Sequence, residues 1–355
     1  MAEAATAEAT EGDRLDPPAH GLIAGSRILG EDERRDPRGR SFRAASFAGL
    51  FALSVVGLTA AGVATAASVP TARPPSTRYP VAMRVLRLVD ATRTIRLPDG
   101  RRVPRSIVTD IFYPARPASP GEAGARPPLG GPYPLIVFGH GFRVTPDVYS
   151  RLLRSWAAAG YVVAAPVFPL ENANAPGGPD ERDIVNQPAD MSFVITRLLH
   201  DDKSVGPLRG VIDPKRIAVA GHSDGGETAL AVAYARGYRD PRVRAAVLLS
   251  GANSGGLQLE FSHPEVALLV TQGTADTLNR PRETEAFFDA APRPKFLLTL
   301  YGATHLAPYT NEEPQLRVVE QATRAFLDHI LKGLPLRPLL EAADVPGVAA
   351  LTADP

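Results

Sequence analysis

The sequence predicts an α/β protein in which helices cover both faces of a mostly parallel central sheet. Short apolar runs alternate with segments of helical spacing over most of the chain, as in repeated βα units. The runs at 135–138 and 161–165 are apolar at every position, which is typical of strands buried on both faces of a sheet. Apolar residues make up 44% of the 355 residues, which suffices for a large core.

The first predicted strands have a different pattern. Residues 83–86, 93–97 and 106–113 are rich in strand-forming residues, and the turn at 98–100 contains Asp-Gly. Alternation of polar and apolar residues around such a turn predicts antiparallel strands at an edge of the sheet.

Regular alternation of strands and helices follows a loop at 114–132 that is rich in proline and glycine. We expect one domain over 81–335 and a C-terminal extension over 336–355. The predicted strands of this part are 135–138, 161–165, 216–220, 243–249, 266–270 and 296–300, and the predicted helices are 149–159, 183–199, 227–235, 282–290 and 315–331.

The N-terminal part is organised as a targeting segment. Residues 1–43 are polar and charged, and we expect them to be disordered. A run without charge follows five arginines, and we interpret 44–68 as the apolar region of a signal peptide or as an uncleaved signal anchor. A buried core helix is the alternative, but a proline-rich linker at 69–80 follows instead of a partner element. Clustered arginines before the run predict that the rest of the protein is extracytoplasmic, either secreted or anchored through 44–68.

The composition excludes several classes of partner and site. The formal net charge is +1, so no electrostatic argument favours a nucleic-acid partner. The chain has no cysteine, which excludes disulfides, a thiolate nucleophile and a cysteine-type zinc site. We expect a monomer without a metal site.

The pentapeptide Gly-His-Ser-Asp-Gly at 221–225 matches the G-x-S-x-G motif of a serine nucleophile. It directly follows the predicted strand 216–220 and precedes a helix, which is the setting that a nucleophile elbow requires. The turn is tight, so side chains at Gly221 and Gly225 would collide with neighbouring backbone. We therefore predict that Ser223 is the nucleophile.

A serine hydroxyl needs a histidine base, and the base needs an acid that fixes its tautomer. Of the seven histidines, His305 alone lies directly after the last predicted parallel strand. In folds with this strand order, the acid lies between nucleophile and base, at the carboxyl end of a strand. Asp276 follows the strand 266–270 and meets that condition, so we predict the triad Ser223, Asp276 and His305.

The loop after the strand 135–138 reads Gly-His-Gly-Phe. Its glycines would let backbone amides approach a substrate oxygen, so we predict an oxyanion hole formed by the N–H groups of Phe142 and Asp224, with Gly141 next to them. His140 is a candidate for the substrate pocket, although a role in orienting the loop fits its position equally well.

The motifs together resemble the α/β-hydrolase superfamily. The Gly-His-Gly-Phe loop, the run Ala-Gly-Tyr-Val-Val-Ala-Ala-Pro at 159–166, the run at 187–194 and the elbow are similar to the predicted dienelactone hydrolase-like and platelet-activating-factor acetylhydrolase-like group. That group is related to bacterial polyester hydrolases and cutinase-like lipases. The resemblance implies an α/β-hydrolase catalytic domain over 81–335 and a cofactor-free ester hydrolase. True dienelactone hydrolases use a cysteine nucleophile, which this chain lacks.

The sequence gives less information on the substrate class than on the triad. Only 251–265 separate two consecutive predicted strands, which is too short for a cap domain, so we expect an open pocket for a small-molecule, lipid or polyester ester. The expected apolar lining comprises Phe142, Phe168, Leu170, Leu257 and Leu306, although some of these side chains could instead belong to the core. An acyltransferase with the same triad, a peptidase and a non-catalytic binding protein on the same scaffold are the alternatives.

Overall fold

The computed structural model describes residues 78–116, 127–200, 203–251, 257, 262 and 264–355. The predicted polar segment 1–43, the apolar run 44–68 and most of the linker 69–80 lie outside these residues. Within the described part of the chain, no helix is long and apolar enough to cross a membrane.

The described residues form a nine-stranded sheet with the order β1-β2-β4-β3-β5-β6-β7-β8-β9. The strands β4, β3, β5, β6, β7 and β8, in their order in the sheet, run parallel to one another. Strand β1 pairs antiparallel with β2, β2 with β4, and β9 with β8. This arrangement confirms the predicted mostly parallel sheet. The strands are β1 Val81–Arg96, β2 Arg102–Pro114, β3 Tyr133–Gly139, β4 Val162–Val167, β5 Ile212–His222, β6 Val243–Leu249, β7 Ala267–Gly273, β8 Lys295–Leu300 and β9 Ala349–Asp354.

The edge hairpin differs from the prediction in one respect. The two runs predicted as separate strands, 83–86 and 93–97, belong to the single strand β1, whose register shifts between Asp90 and Thr94. At the shift, the Asp90 carboxylate accepts hydrogen bonds from the backbone N–H and hydroxyl of Thr92. The polar residues that suggested a break between strands therefore form a bulge within one strand.

Helices cover both faces of the sheet. On one face α1 and α6 pack with Ile136 and Phe138 of β3, and on the other α2, α3 and α4 pack with Leu135 and Val137. This division follows from the alternation of side chains along a strand. The helices are α1 Ser150–Ala158, α2 Gln187–Leu199, α3 Asp224–Tyr234, α4 Pro281–Ala290, α5 Ala307–Thr310, α6 Gln315–Lys332 and α7 Arg337–Ala343.

The helix predicted over 183–199 begins four residues later than expected. Glu181–Asn186 is a short 3-10 helix, and α2 starts at Gln187 with Pro188 in its first turn. Proline is accepted there because the first backbone N–H groups of a helix have no partner within it.

The C-terminal residues correct the predicted domain boundary at 335. Strand β9 pairs with β8 over its whole length, and Leu339 and Ala343 of α7 are buried in the core. Residues 336–355 are therefore part of the α/β domain and not an extension of it. Buried and exposed residues alternate only weakly along β9, because it is an edge strand that has one neighbour and few buried side chains.

Candidate active site

The turn between β5 and α3 holds Ser223 in a conformation that is rare for a residue with a side chain. Its backbone angles are φ 55° and ψ −122°, and such strain at a tight turn is typical of functional sites. A Cβ at Gly221 would lie 2.0 Å from the carbonyl oxygen of Gly225, and a Cβ at Gly225 would lie 2.2 Å from that of Gly139. The glycines of the motif are thus required by backbone contacts across the turn.

The structure brings Ser223, His305 and Asp276 together from the ends of three strands. His305 lies in the loop after β8, and its Nε2 is 3.0 Å from Ser223 Oγ. Its Nδ1 is 2.8 Å from Oδ2 of Asp276, which follows β7. Because the carboxyl ends of parallel strands lie at one edge of a sheet, residues 82 positions apart in sequence can form one hydrogen-bonded chain.

The Asp276 carboxylate is held by several donors. Its Oδ1 accepts backbone N–H bonds from Leu278 and Asn279, each at 3.0 Å. Burial by itself would raise the pKa of Asp276, but the hydrogen bond and charge of His305 and the N–H of Asn279 outweigh it, and the pKa is lowered. The carboxylate is therefore ionised at neutral pH and can orient the imidazole and stabilise an imidazolium.

The predicted oxyanion donors are the N–H groups of Phe142 and Asp224. Among the described residues, neither the N–H of Phe142 nor that of Asp224 has a hydrogen-bond partner. The Gly141 N–H instead donates to the Tyr149 hydroxyl at 3.4 Å. The N–H groups of Phe142 and Asp224 are thus available for a substrate oxygen.

The predicted pocket residues fall into two groups. His140, Phe168 and Leu257 are between 0% and 3% exposed, so they belong to the interior and do not line an open pocket. Leu257 packs with Ile184 and Ala231. Leu170 and Leu306 are half-buried, and Leu306 lines an open cleft of about 560 Å³ next to His305, together with Leu278 and Ala307.

His140 has an orienting role in the structure. Its Nδ1 donates to the carbonyl of Gly141 at 2.8 Å, and its Nε2 accepts the N–H of Phe168 at 3.0 Å. Burial lowers the pKa of His140 to about 4, although the bond to Gly141 opposes this shift. The neutral ring ties the loop after β3 to the loop after β4, which corrects the expectation of a pocket residue.

Sequence reasoning assigned no role to His222, the residue before the predicted nucleophile. The ring packs against His305 with centroids 4.7 Å apart. Its Nε2 donates to the His305 carbonyl at 2.8 Å, and its Nδ1 accepts the Tyr149 hydroxyl at 2.7 Å. Burial and the neighbouring His305 lower the pKa of His222 to about 3, so this ring is neutral and holds the loop that carries His305.

The described residues contain no group of three or more His, Asp or Glu side chains that could hold a metal ion.

Comparisons with known proteins agree with this architecture. Residues 117–253 match the chlorophyllase family, a range that contains the loop with Phe142 and the elbow but ends before Asp276 and His305. Chlorophyllase-1 of Arabidopsis thaliana is 33% identical over 124 residues, which cover 35% of this chain and 36% of the relative. Chlorophyllase type 0 of Chenopodium album is 31% identical over 116 residues, covering 32% of this chain and 30% of the relative. The chain thus matches about a third of the length of these curated relatives.

A solved structure is similar over most of the domain. The ferulic acid esterase from Streptomyces cinnamoneus has a TM-score of 0.57 and 24% identity, and the match covers 78% of this chain and 96% of that chain. At this identity the similarity shows the fold.

Proposed function

We propose that this protein, whose fold is similar to that of an esterase, is a serine carboxylic-ester hydrolase that forms an acyl-enzyme on Ser223. The observation that carries the proposal is the hydrogen-bonded chain from Ser223 Oγ through the imidazole of His305 to the Asp276 carboxylate. A carboxylic ester hydrolase is also supported by the chlorophyllase family match and the ferulic acid esterase neighbour.

In the first half of the reaction, Ser223 Oγ attacks the ester carbonyl carbon while His305 Nε2 takes the hydroxyl proton. The carbonyl oxygen becomes an oxyanion, which the N–H groups of Phe142 and Asp224 stabilise by a few kcal/mol. When the ester C–O bond breaks, His305 gives its proton to the departing alcohol and Ser223 carries the acyl group.

In the second half, water replaces the alcohol. His305 takes a proton from the water, whose oxygen attacks the acyl carbon, and the same oxyanion donors act again. The bond to Ser223 Oγ then breaks, the serine regains its proton from His305, and the carboxylic acid leaves. Asp276 stays ionised throughout and holds the Nδ1–H tautomer of the ring.

The substrates that we propose are small-molecule, lipid or polyester esters, because the cleft beside His305 is open and partly apolar. Leu278, which is 71% exposed, and Leu306 provide apolar surface there. Acyl groups that cover this surface should gain about 25 cal/mol for each Å² of apolar area that leaves water.

The test is a chain-length series of p-nitrophenyl esters on the full chain, with Ser223→Ala as the variant and Ser155→Ala on α1 as the matched control. Turnover by the wild type and by Ser155→Ala, with a loss of about 10⁶-fold in Ser223→Ala, is expected. A fluorophosphonate probe should label Ser223. Labelling of another serine, or equal turnover by Ser223→Ala, contradicts the proposed nucleophile.

We also propose that the domain acts outside the cytoplasm, on the sequence of 44–68 and the arginines before it. N-terminal sequencing of the protein from its native cell tests this. A start near Ala67 indicates secretion, and an intact N-terminus in the membrane fraction indicates an anchor. Soluble, uncleaved cytoplasmic protein contradicts both.

A further inference from the structure

Glu171 lies between the two halves of the proposed oxyanion hole. Its backbone carbonyl accepts the N–H of Arg143 at 3.0 Å, and Arg143 directly follows Phe142, the first proposed donor. Its side chain interacts with the carboxyl group of Asp224, whose N–H is the second proposed donor. One residue therefore contacts both segments that must converge on the substrate oxygen.

The contact between the two carboxyl groups lacks a donor. Glu171 is 0% exposed, and its Oε1 and the Oδ2 of Asp224 are both buried without a hydrogen-bond partner among the described residues. The other oxygen of Glu171 accepts the amide of Gln187. The carbonyl oxygen of that amide accepts the Thr228 hydroxyl at 2.7 Å, which fixes the NH₂ group toward Glu171.

Two interacting carboxyl groups, each with a buried oxygen that has no donor, are stabilised by a proton shared between them, because two unpaired carboxylates would repel each other and lose their hydration. We propose that Glu171 is a positioning residue: it is a neutral acid whose O–H donates to the Asp224 carboxylate and thereby holds the two halves of the oxyanion hole together. This inference rests on the proposed function.

The surroundings of the pair indicate which member holds the proton. Burial raises the pKa of Glu171, and the charge of Asp224 raises it further, whereas Asp224 is less completely buried and its pKa is raised less. The titratable groups that interact electrostatically with the pair are Asp183, Glu181, Glu227 and His305. Three of them are acidic, so the surroundings disfavour a second negative charge.

Loss of this proton would have a kinetic consequence. A second carboxylate charge would form beside the first turn of α3, where the transition state places its own negative charge. Repulsion in the transition state, with little change in substrate binding, lowers kcat more than it changes KM.

The main test measures kcat and KM against pH for the wild type, Glu171→Gln and Glu285→Gln, a matched control on the exposed face of α4. The glutamine amide donates to Asp224 at every pH. We expect kcat of the wild type and of Glu285→Gln to fall at alkaline pH, whereas kcat of Glu171→Gln stays level there. An alkaline fall in Glu171→Gln that equals the wild type's overturns the proposal.

A second variant separates positioning from packing. Glu171→Leu fills the space but has no hydrogen-bond donor. At neutral pH its kcat should therefore be about tenfold lower than that of Glu171→Gln. This fall is smaller than the fall in kcat that follows the removal of one oxyanion donor. Equal kcat in the two variants contradicts a positioning role for the proton.

The proton itself can be observed without turnover. The infrared difference spectrum of wild type minus Glu171→Gln at neutral pH should contain the C=O stretching band of a protonated carboxyl group. Absence of the band overturns the assignment of the proton. If the band is present but the protein neither hydrolyses esters nor reacts with a fluorophosphonate at Ser223, the proposed function fails and with it the kinetic role of Glu171.

Discussion

The imidazole of His222 donates from Nε2 to the backbone carbonyl of His305 at 2.8 Å. His222, which directly precedes the proposed nucleophile Ser223, thus holds the backbone of His305, the proposed base. Together with the bonds from Gly141 to Tyr149 and from Tyr149 to His222, this contact links the loop of the oxyanion donors to the loop of the base.

Replacing His222 with Phe should keep the ring packing and remove both hydrogen bonds. The His305 carbonyl would lose its donor and the Tyr149 hydroxyl would lose its acceptor, at about 1–3 kcal/mol of stability for each buried group. Displacement of His305 should lower kcat by about 10- to 100-fold. Steady-state kinetics and urea unfolding check this, with His200→Gln, an exposed histidine on the far end of α2, as the control. If His222→Phe had the wild-type kcat, the hydrogen bond from His222 to the His305 carbonyl would not be needed to position His305.

Asp276→Asn should lower kcat by about 10⁴-fold, because the amide stabilises the wrong tautomer of His305. The fold should persist, since the amide still accepts the N–H groups of Leu278 and Asn279 through its carbonyl oxygen. Ester turnover measures the effect, and circular dichroism confirms folding. Exposed Asp289→Asn on α4 is the control. Near-native turnover in Asp276→Asn would mean that another residue orients the base.

Gly221→Ala should prevent formation of the elbow, because the added methyl would lie 2.0 Å from the Gly225 carbonyl oxygen. We expect a loss of fluorophosphonate labelling at Ser223 together with a lower unfolding midpoint in urea. Gly237→Ala is the control, since nothing lies within 4 Å of its Cβ position although its φ is positive. That change should cost only the about 1 kcal/mol of a left-handed backbone. If Gly221→Ala and Gly237→Ala changed the labelling and the unfolding midpoint equally, the close approach of Gly221 to the Gly225 carbonyl would not be what requires glycine in the elbow.

The folded protein should lose stability as the pH falls below about 6.5, the ordinary pKa of histidine. His140 and His222 are buried and neutral, with pKa values lowered to about 4 and about 3, whereas the same groups bind protons in the unfolded chain. The unfolded state therefore binds more protons, and the unfolding free energy rises with pH between about 4 and 6.5, by at most about 1.4 kcal/mol per pH unit for each histidine.

His140→Gln isolates one of these contributions, because glutamine can donate to Gly141 and accept from Phe168 as the ring does. The difference in unfolding free energy between wild type and His140→Gln should change with pH over that window, in favour of the variant as the pH falls. Urea unfolding at several pH values measures it. A difference for His140→Gln that stays constant over this window would contradict a buried neutral histidine.

Turnover should increase smoothly with substrate concentration, without a jump when an oil–water interface forms. Residues 171–182, which follow β4 and would have to move if a lid closed over Ser223, are held near both ends. Arg143 N–H binds the Glu171 carbonyl, and the buried Arg105 of β2 pairs with Asp183 and Asp190 at 2.7 and 2.6 Å. Kinetics with an ester below and above its solubility limit test this. A sharp rise at the limit would show that the segment moves, and Arg105→Met should then alter the rise.

The sequence by itself determined the βα order, the mostly parallel sheet and the residues of the elbow. Those features depend on local patterns, since strands buried on both faces must be apolar and a tight turn after a strand must contain glycine. The position of His305 after the last parallel strand and that of Asp276 after β7 followed from strand order, so their convergence with Ser223 was predictable.

Tertiary structure decided what depends on contacts between distant segments. The sequence pattern of β9 is weak, and only pairing with β8 makes 336–355 part of the domain. Whether Phe168 and Leu257 line a cleft or fill the core depends on which helices pack over them. The same reason applies to His140, His222 and Glu171. A polar residue in the interior takes its role from the partner that satisfies it, and those partners lie up to 83 positions away, as the His222–His305 bond shows.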